Sequence, residues 1–474
     1  MMTRAAIFLL SIFFLTACTQ DFEDLNTNPN APATVEPELL LRQVVYGYGD
    51  AMAYEGFVAG NLLSQHFAMI DFNLFDRHAL SSPQEGGDPW PILYTNLRDV
   101  ETLLEISRDN PSAAVYEGPA LVMKAYLAMT LTDLFGDVPY FEAFRGRSTG
   151  ITTPGYDRQE DIYLADGGIL DNLERAVAAL DAYSGSQPLR GDILYDGELE
   201  GWVRFANSLR IKALMRISAR VDPGNQIQEI VDGDRYIDAP QKDAVFAFTA
   251  GQPNNYPLST ARIGIFNVFL MSATADAVFP ATNPLTAVLY RPSASSGSFT
   301  GVANGIDASN SITPDDFARP GLIFRENAGD FRFNYLTSWE TDYLLTEAAL
   351  KGFVDLNPAE WYDRATIQSY RYWGVERPGG LIAAFEGSNN RLEQLVTQKW
   401  MASSGNAYEG WTEWRRTGYP AAIRPAQASL NDGLVPVRMP YPNDEQALNF
   451  ENYQTAADAT NGNSINARVW WDVE

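Results

Sequence analysis

Trp202-Val203-Arg204-Phe205-Ala206-Asn207-Ser208-Leu209-Arg210, continuing to Arg216, carries the pattern that decides the fold. Trp202, Phe205, Leu209, Ala213 and Ile217 recur at spacings of three and four, the apolar stripe of an amphipathic helix. Arg204, Lys212, Arg216 and Arg220 lie off that line. Upstream, Ile169, Leu173, Ala176 and Leu180 repeat the same spacing. Leu121, Ala125, Ala128, Met129 and Leu131 form a further stripe, stopped by Gly136 and Pro139. Downstream, Trp339 to Leu350 and Leu392 to Met401 read as two more helices. The chain is therefore expected to be mainly α.

Between residues 221 and 333 the texture changes. Gly, Ser, Asn and Pro cluster there, helical periodicity fades, and Tyr256, Phe266, Tyr290 and Phe299 are scattered through it. A structureless segment of this length is improbable in a compact domain, so short elements and packed loops are expected. From Ala421 onward helical pattern is again sparse. No linker divides the chain and no repeat of fixed period stands out, so residues 38–474 read as one domain, with 221–333 its loop-rich variable part.

The first residues form a processing segment rather than part of the fold. Arg4 precedes an apolar run from Ala5 to Leu15 that ends in Leu15-Thr16-Ala17-Cys18. This arrangement resembles a bacterial lipobox, with residues 1–17 removed and Cys18 lipidated. Cys18 is the only cysteine among 474 residues, so no other thiol competes for the role. Residues 18–37, rich in Asn, Pro and Thr, read as a lipidated tether. Asp21, Glu23 and Asp24 resemble the surface-export signal of Bacteroidetes-type lipoproteins, which points to the extracellular side of the outer membrane. No later run reaches the roughly 18 apolar residues that a membrane helix needs.

Composition excludes several functions. A net charge of −26 and a pI near 4.4 argue against nucleic acid, whose binding releases counterions to cationic stripes. The two histidines, His66 and His78, cannot build a His-rich zinc site, and none of the five lysines follows a glycine as a P-loop requires. Paired-carboxylate glycosidase chemistry stays open, because there are 60 Asp and Glu residues to draw on.

Several blocks resemble the SusD/RagB family of nutrient-binding lipoproteins. They are Asn26-Thr27-Asn28-Pro29-Asn30, Thr132-Asp133-Leu134-Phe135-Gly136-Asp137-Val138-Pro139-Tyr140, Tyr156-Asp157-Arg158-Gln159 with Ile162-Tyr163, and the Trp202–Arg216 helix. Glu347-Ala348-Ala349 with Gly352, Gln398-Lys399-Trp400, the run from Trp411 to Pro420, and Arg438-Met439-Pro440-Tyr441-Pro442 complete the series in family order. One departure is Asn283-Pro284-Leu285, which stands where the family commonly has Asp-Pro-Arg. The resemblance implies a helical scaffold with tetratricopeptide-like hairpins and short strands in the loop-rich part. It further implies capture of a glycan or peptide, delivery to a SusC-like TonB-dependent receptor, and no catalytic residue. No cofactor is called for, and calcium is left open. The alternatives are a surface glycoside hydrolase with two carboxylates and a non-catalytic scaffold or adhesion lipoprotein.

Most motif residues have a structural reading of their own. Asn207 and Arg210 are expected to bond between helices, Arg415 and Arg416 to tie a helix end, and Trp400, Trp411 and Trp414 to pack in the core. His66 reads as a packing histidine. Sugar recognition requires exposed rings interleaved with short polar groups, and two stretches offer them. The first is Asp71, Phe72, Asn73, Phe75, Arg77 and His78, followed by Trp90; the second holds Asn255, Tyr256, Arg262 and Tyr290.

Overall fold

The computed structural model describes residues 35–81, 86–307, 309, 311–327, 329, 331–406 and 408–473. Cys18, the signal segment and nearly all of the tether lie outside these residues. The longer helices are α1 (Pro37–Glu55), α2 (Pro89–Asp109), α3 (Glu117–Phe135), α4 (Ile169–Ala182), α5 (Leu199–Arg216) and α6 (Gly224–Gly233). They continue with α7 (Ser338–Leu350), α8 (Pro358–Tyr372), α9 (Arg391–Ala402), α10 (Glu409–Thr417) and α11 (Phe450–Ala459). No helix among the described residues is long and apolar enough to cross a membrane.

The stripes anticipated from sequence are the buried faces of these helices. Trp202, Phe205, Leu209, Ala213 and Ile217 are wholly buried, as are Ile169, Leu173 and Ala176. Neighbours in sequence pack as neighbours in space: α1 on α2, α2 on α3, α3 on α4 and α4 on α5. α7 then packs against α8, α9 and α5. α3 ends at Gly136, whose φ of 80° suits a residue without a Cβ, and its amide donates to the Thr132 carbonyl over 2.8 Å.

Short strands stitch the loop-rich part to the helices as three antiparallel pairs. β1 (Phe67–Met69) pairs with β3 (Phe269–Met271), β2 (Ala244–Ala247) with β6 (Arg332–Leu336), and β4 (Tyr290–Arg291) with β5 (Arg319–Pro320). The segment after Ala421 departs from expectation, because Asn443–Leu448 and α11 are helical. α11 buries only Ala456 and Ala457, too narrow a stripe for its periodicity to show.

Two of the off-line cations, Lys212 and Arg216, are also buried, in a lattice of ion pairs that joins five helices. Lys212 lies 2.8 Å from Glu340 of α7 and 3.0 Å from Glu409 of α10. Arg216 meets Asp133 of α3 at 3.0 Å, Glu409 at 3.0 Å and Glu413 at 2.5 Å. Lys399 of α9 reaches Glu413 at 3.1 Å, and Arg416 bridges Glu347 and Glu413 at 2.5 and 2.8 Å. Burial by itself pushes the Glu413 carboxyl up, but Arg416, Lys399 and Arg216 outweigh it and hold the group well below 4.5. Glu409 and Glu347 are likewise raised by burial and brought low by their cations.

Removing one partner from such a lattice strands buried charge, at a cost of about 3–5 kcal/mol. Glu413→Ala should therefore lower unfolding stability by about that amount in urea titrations. Arg235→Ala, which breaks only the exposed pairs to Asp181 and Glu200, should cost no more than about 1 kcal/mol. Equal losses would contradict this ranking. The pH dependence of stability has two limbs. Groups held low contribute stability above their unfolded value of 4.5 that is lost as pH falls below it. Burial lifts Asp243 to about 7 and Asp76 to about 6, so their ionisation costs stability as pH rises. The raised groups lose stability from their unfolded value of 3.8 upward, so the thermal midpoint should peak at about pH 4 to 5 and decline toward pH 7. Calorimetry showing a midpoint still climbing at pH 8 would exclude this assignment.

Candidate functional site

The β1–β3 pairing joins two segments about two hundred positions apart. Phe67 stands opposite Met271 and Met69 opposite Phe269, and the Ile70 amide extends the pairing to the Val268 carbonyl at 3.0 Å. Asp71 and Phe72 thereby come to face Arg262, Gly264, Ile265 and Val268 across a cleft of 630 Å³.

Phe72 is the exposed ring of this cleft, with 69% of its surface free. Its φ of 50° is unusual for an aromatic residue, and the Asp71 carboxylate holds the turn by accepting from the Phe72 amide at 2.9 Å. Ile263, between the cleft residues Arg262 and Gly264 in sequence, is 52% exposed.

The loop is anchored from below by Asp76, which is wholly buried. Its carboxylate accepts from the Met69 amide at 3.0 Å, the Asn304 side chain at 2.7 Å and the Gly305 amide at 2.7 Å. Arg325 braces the opposite wall by donating to the carbonyls of Leu258 and Ala261 at 2.6 and 2.9 Å. Phe266, next to the cleft residues, is buried and stacks on Phe57 at 5.7 Å.

Of the residues singled out in the sequence, the structure brings Asp71, Phe72 and Arg262 together. The others serve the framework. Asn73 is buried and donates to the Ile306 carbonyl at 2.8 Å. Phe75 is in the core against Gly87. Arg77 donates to the Ala428 carbonyl at 2.8 Å and faces Asp307. His78 is buried with Nδ1 3.1 Å from the Leu434 carbonyl, and burial pushes its pKa down to about 4. Trp90 packs edge-on to Phe135 with centroids 4.9 Å apart. Asn255 bonds Ser259 and Thr260. Tyr256 stacks near Phe331 at 4.2 Å, and Tyr290 donates to the His66 carbonyl at 3.1 Å. Both tyrosines are completely buried. Core packing covers these rings almost entirely, Trp90 and Tyr290 bordering two other clefts, so the structure does not bring them into one surface site with Phe72.

The aliphatic wall of Ile265 and Val268 escaped sequence reading, because such residues look like core in any pattern. Asp76, Asn304 and Arg325 escaped it too, since their role depends on contacts far apart in the chain. The structural readings agree with the packing: Asn207 donates to the Arg235 carbonyl at 2.7 Å, and Arg415 donates to Val437 and Asp133 carbonyls at 2.9 and 2.8 Å. His66 stacks on Trp400 at 3.9 Å. Asn283 caps a short helix by accepting from the Leu285 amide at 2.9 Å. Among the described residues no group of three His, Cys, Asp or Glu is placed to hold a metal ion.

The family model SusD-like, described as "Starch-binding associating with outer membrane", matches residues 29–442. No curated protein matches the sequence. Solved structures share the fold. A chitin-binding protein superposes with a TM-score of 0.77 at 24% identity, covering 93% of this chain and 100% of its own. A SusD homolog from Bacteroides fragilis gives 0.77 at 21% identity, with 93% and 100% covered. A chitin-binding SusD homolog from Flavobacterium johnsoniae gives 0.75 at 20% identity, with 92% and 98% covered. With a helical scaffold, strand-stitched loops and a family match over most of its length, this chain belongs to the SusD-like family of outer-membrane-associated binding proteins.

Proposed function

We propose that the protein is a lipid-anchored, cell-surface receptor that captures a glycan chain and passes it to a SusC-like TonB-dependent transporter. The observation that carries this reading is the Phe72 ring, exposed beside Asp71 and Arg262 over an aliphatic wall. A pyranose presents a C–H face that stacks on an aromatic ring, while a carboxylate and a guanidinium bond its hydroxyls. The arrangement offers both kinds of contact within one open cleft.

Membership of a family described as starch-binding and likeness to chitin-binding proteins favour oligosaccharide over peptide. Attachment through Cys18 supplies the outer-membrane location, and handing on to a transporter gives a purpose to capture without chemistry. Retaining and inverting glycosidases both need a second carboxylate across the scissile bond. Asp71 is the one carboxylate among the described residues that line the cleft, which favours binding over hydrolysis.

Calorimetric titration of the full chain with chito-oligosaccharides and malto-oligosaccharides tests the reading. Binding of at least one series is expected, with no shortening of the oligosaccharide. Phe72→Ala should weaken affinity about thirty-fold, the loss of one anchor ring worth about 2 kcal/mol. The melting temperature should not change, since the side chain is exposed. An unchanged affinity, or steady release of shorter products, would refute the proposal. Asp76→Ala strands two buried amides and the Asn304 side chain, so a stability loss of about 3 kcal/mol is expected. Limited proteolysis should then cut first within residues 69–78; cutting elsewhere would show that Asp76 does not hold the loop.

A further inference from the structure

A second cleft, of 330 Å³, opens where the start of β6 meets the end of α8. Its walls include Arg332, Arg371, Tyr372, Trp373 and Gly374. Both arginines are exposed, and among the described residues neither is held by a carboxylate at ion-pair distance, although Arg332 feels the buried Asp243 at longer range. Other exposed arginines, such as Arg98, Arg175 and Arg235, are held by carboxylates, in a chain where acids outnumber cations by 60 to 34.

The aromatic side of the cleft is fixed in place. The Tyr372 hydroxyl donates to the Asn334 side chain at 2.6 Å, and the Trp373 indole donates to the Ala402 carbonyl at 3.0 Å. Gly374, at φ 75°, turns the chain away after α8, and a Cβ there would meet nothing within 4 Å.

We propose that this cleft is a second ligand subsite, which takes an oxyanion carried on a sugar residue, as a uronic carboxylate or a sulfate ester. A guanidinium presents paired N–H donors that match either group, and two of them lining one cleft favour an anion over a hydroxyl. The negative charge of the whole molecule does not oppose this at the contact, because charges beyond about 10 Å are screened at moderate salt. Arg371 in the last turn of α8 also complements the helix carbonyls, a structural role that needs no ligand. The test separates the two.

The inference rests on the glycan reading above, and the experiment uses a neutral probe to tell them apart. The full chain is titrated with oligogalacturonate, with a sulfated galactan oligosaccharide and with neutral chito-oligosaccharide. At least one acidic probe should bind more tightly than the neutral one, and raising the salt should weaken only the acidic binding. The acidic probe that binds identifies carboxylate or sulfate as the group. Arg332→Gln/Arg371→Gln should lower that affinity at least tenfold while leaving the neutral probe unchanged; Arg332→Gln alone serves if the double variant is unstable. If neutral probes bind and acidic ones bind no more tightly, or the arginine variants match the parent, the subsite is refuted and the glycan reading stands. If neither acidic probe binds, the subsite is refuted; if chito- and malto-oligosaccharides fail as well, the glycan reading falls with it.

Discussion

The buried charge lattice around Arg216 is the constraint on which the rest of the structure depends. Four buried cations, Lys212, Arg216, Lys399 and Arg416, meet carboxylates from α3, α7 and α10 in the space between those helices. Hydrophobic packing holds each neighbouring pair of helices and tolerates sliding. Ion pairs with defined lengths do not, because a shift that opens one leaves a buried charge unmatched. The lattice thereby sets one register for helices drawn from residues 117 to 417.

That fixed scaffold allows the binding surface to be built from loops. The β1–β3 pairing carries the Asp71–Phe72 turn to the Arg262–Val268 segment, and Asp76 locks the turn to Asn304 and Gly305 from yet another part of the chain. Rigidity of the base lets the turn hold Phe72 at positive φ with its ring in solvent. The cleft is therefore a tertiary product: no single segment contains it.

The sequence shows the helices well, because burial on one face leaves a spacing of three and four that survives in any reading. It shows the charge lattice poorly. Lys212 and Arg216 stand off the apolar stripe of α5 and look like a solvated face until Glu340, Glu409 and Glu413 arrive from distant helices. The site was half legible for a related reason. Phe72 and Tyr256 are both rings among short polar residues, yet one is exposed and the other is sealed against Phe331. Local composition cannot distinguish them, since burial is decided by what packs from elsewhere.

The central claim is that ligand rests on the Phe72 turn and the facing 262–268 segment. Hydrogen exchange of the intact chain, followed by mass spectrometry with and without a binding oligosaccharide, tests it most directly. Protection should appear together in peptides covering residues 69–78 and 262–268. Protection confined to other surfaces, with both of these segments unchanged at saturation, would contradict it.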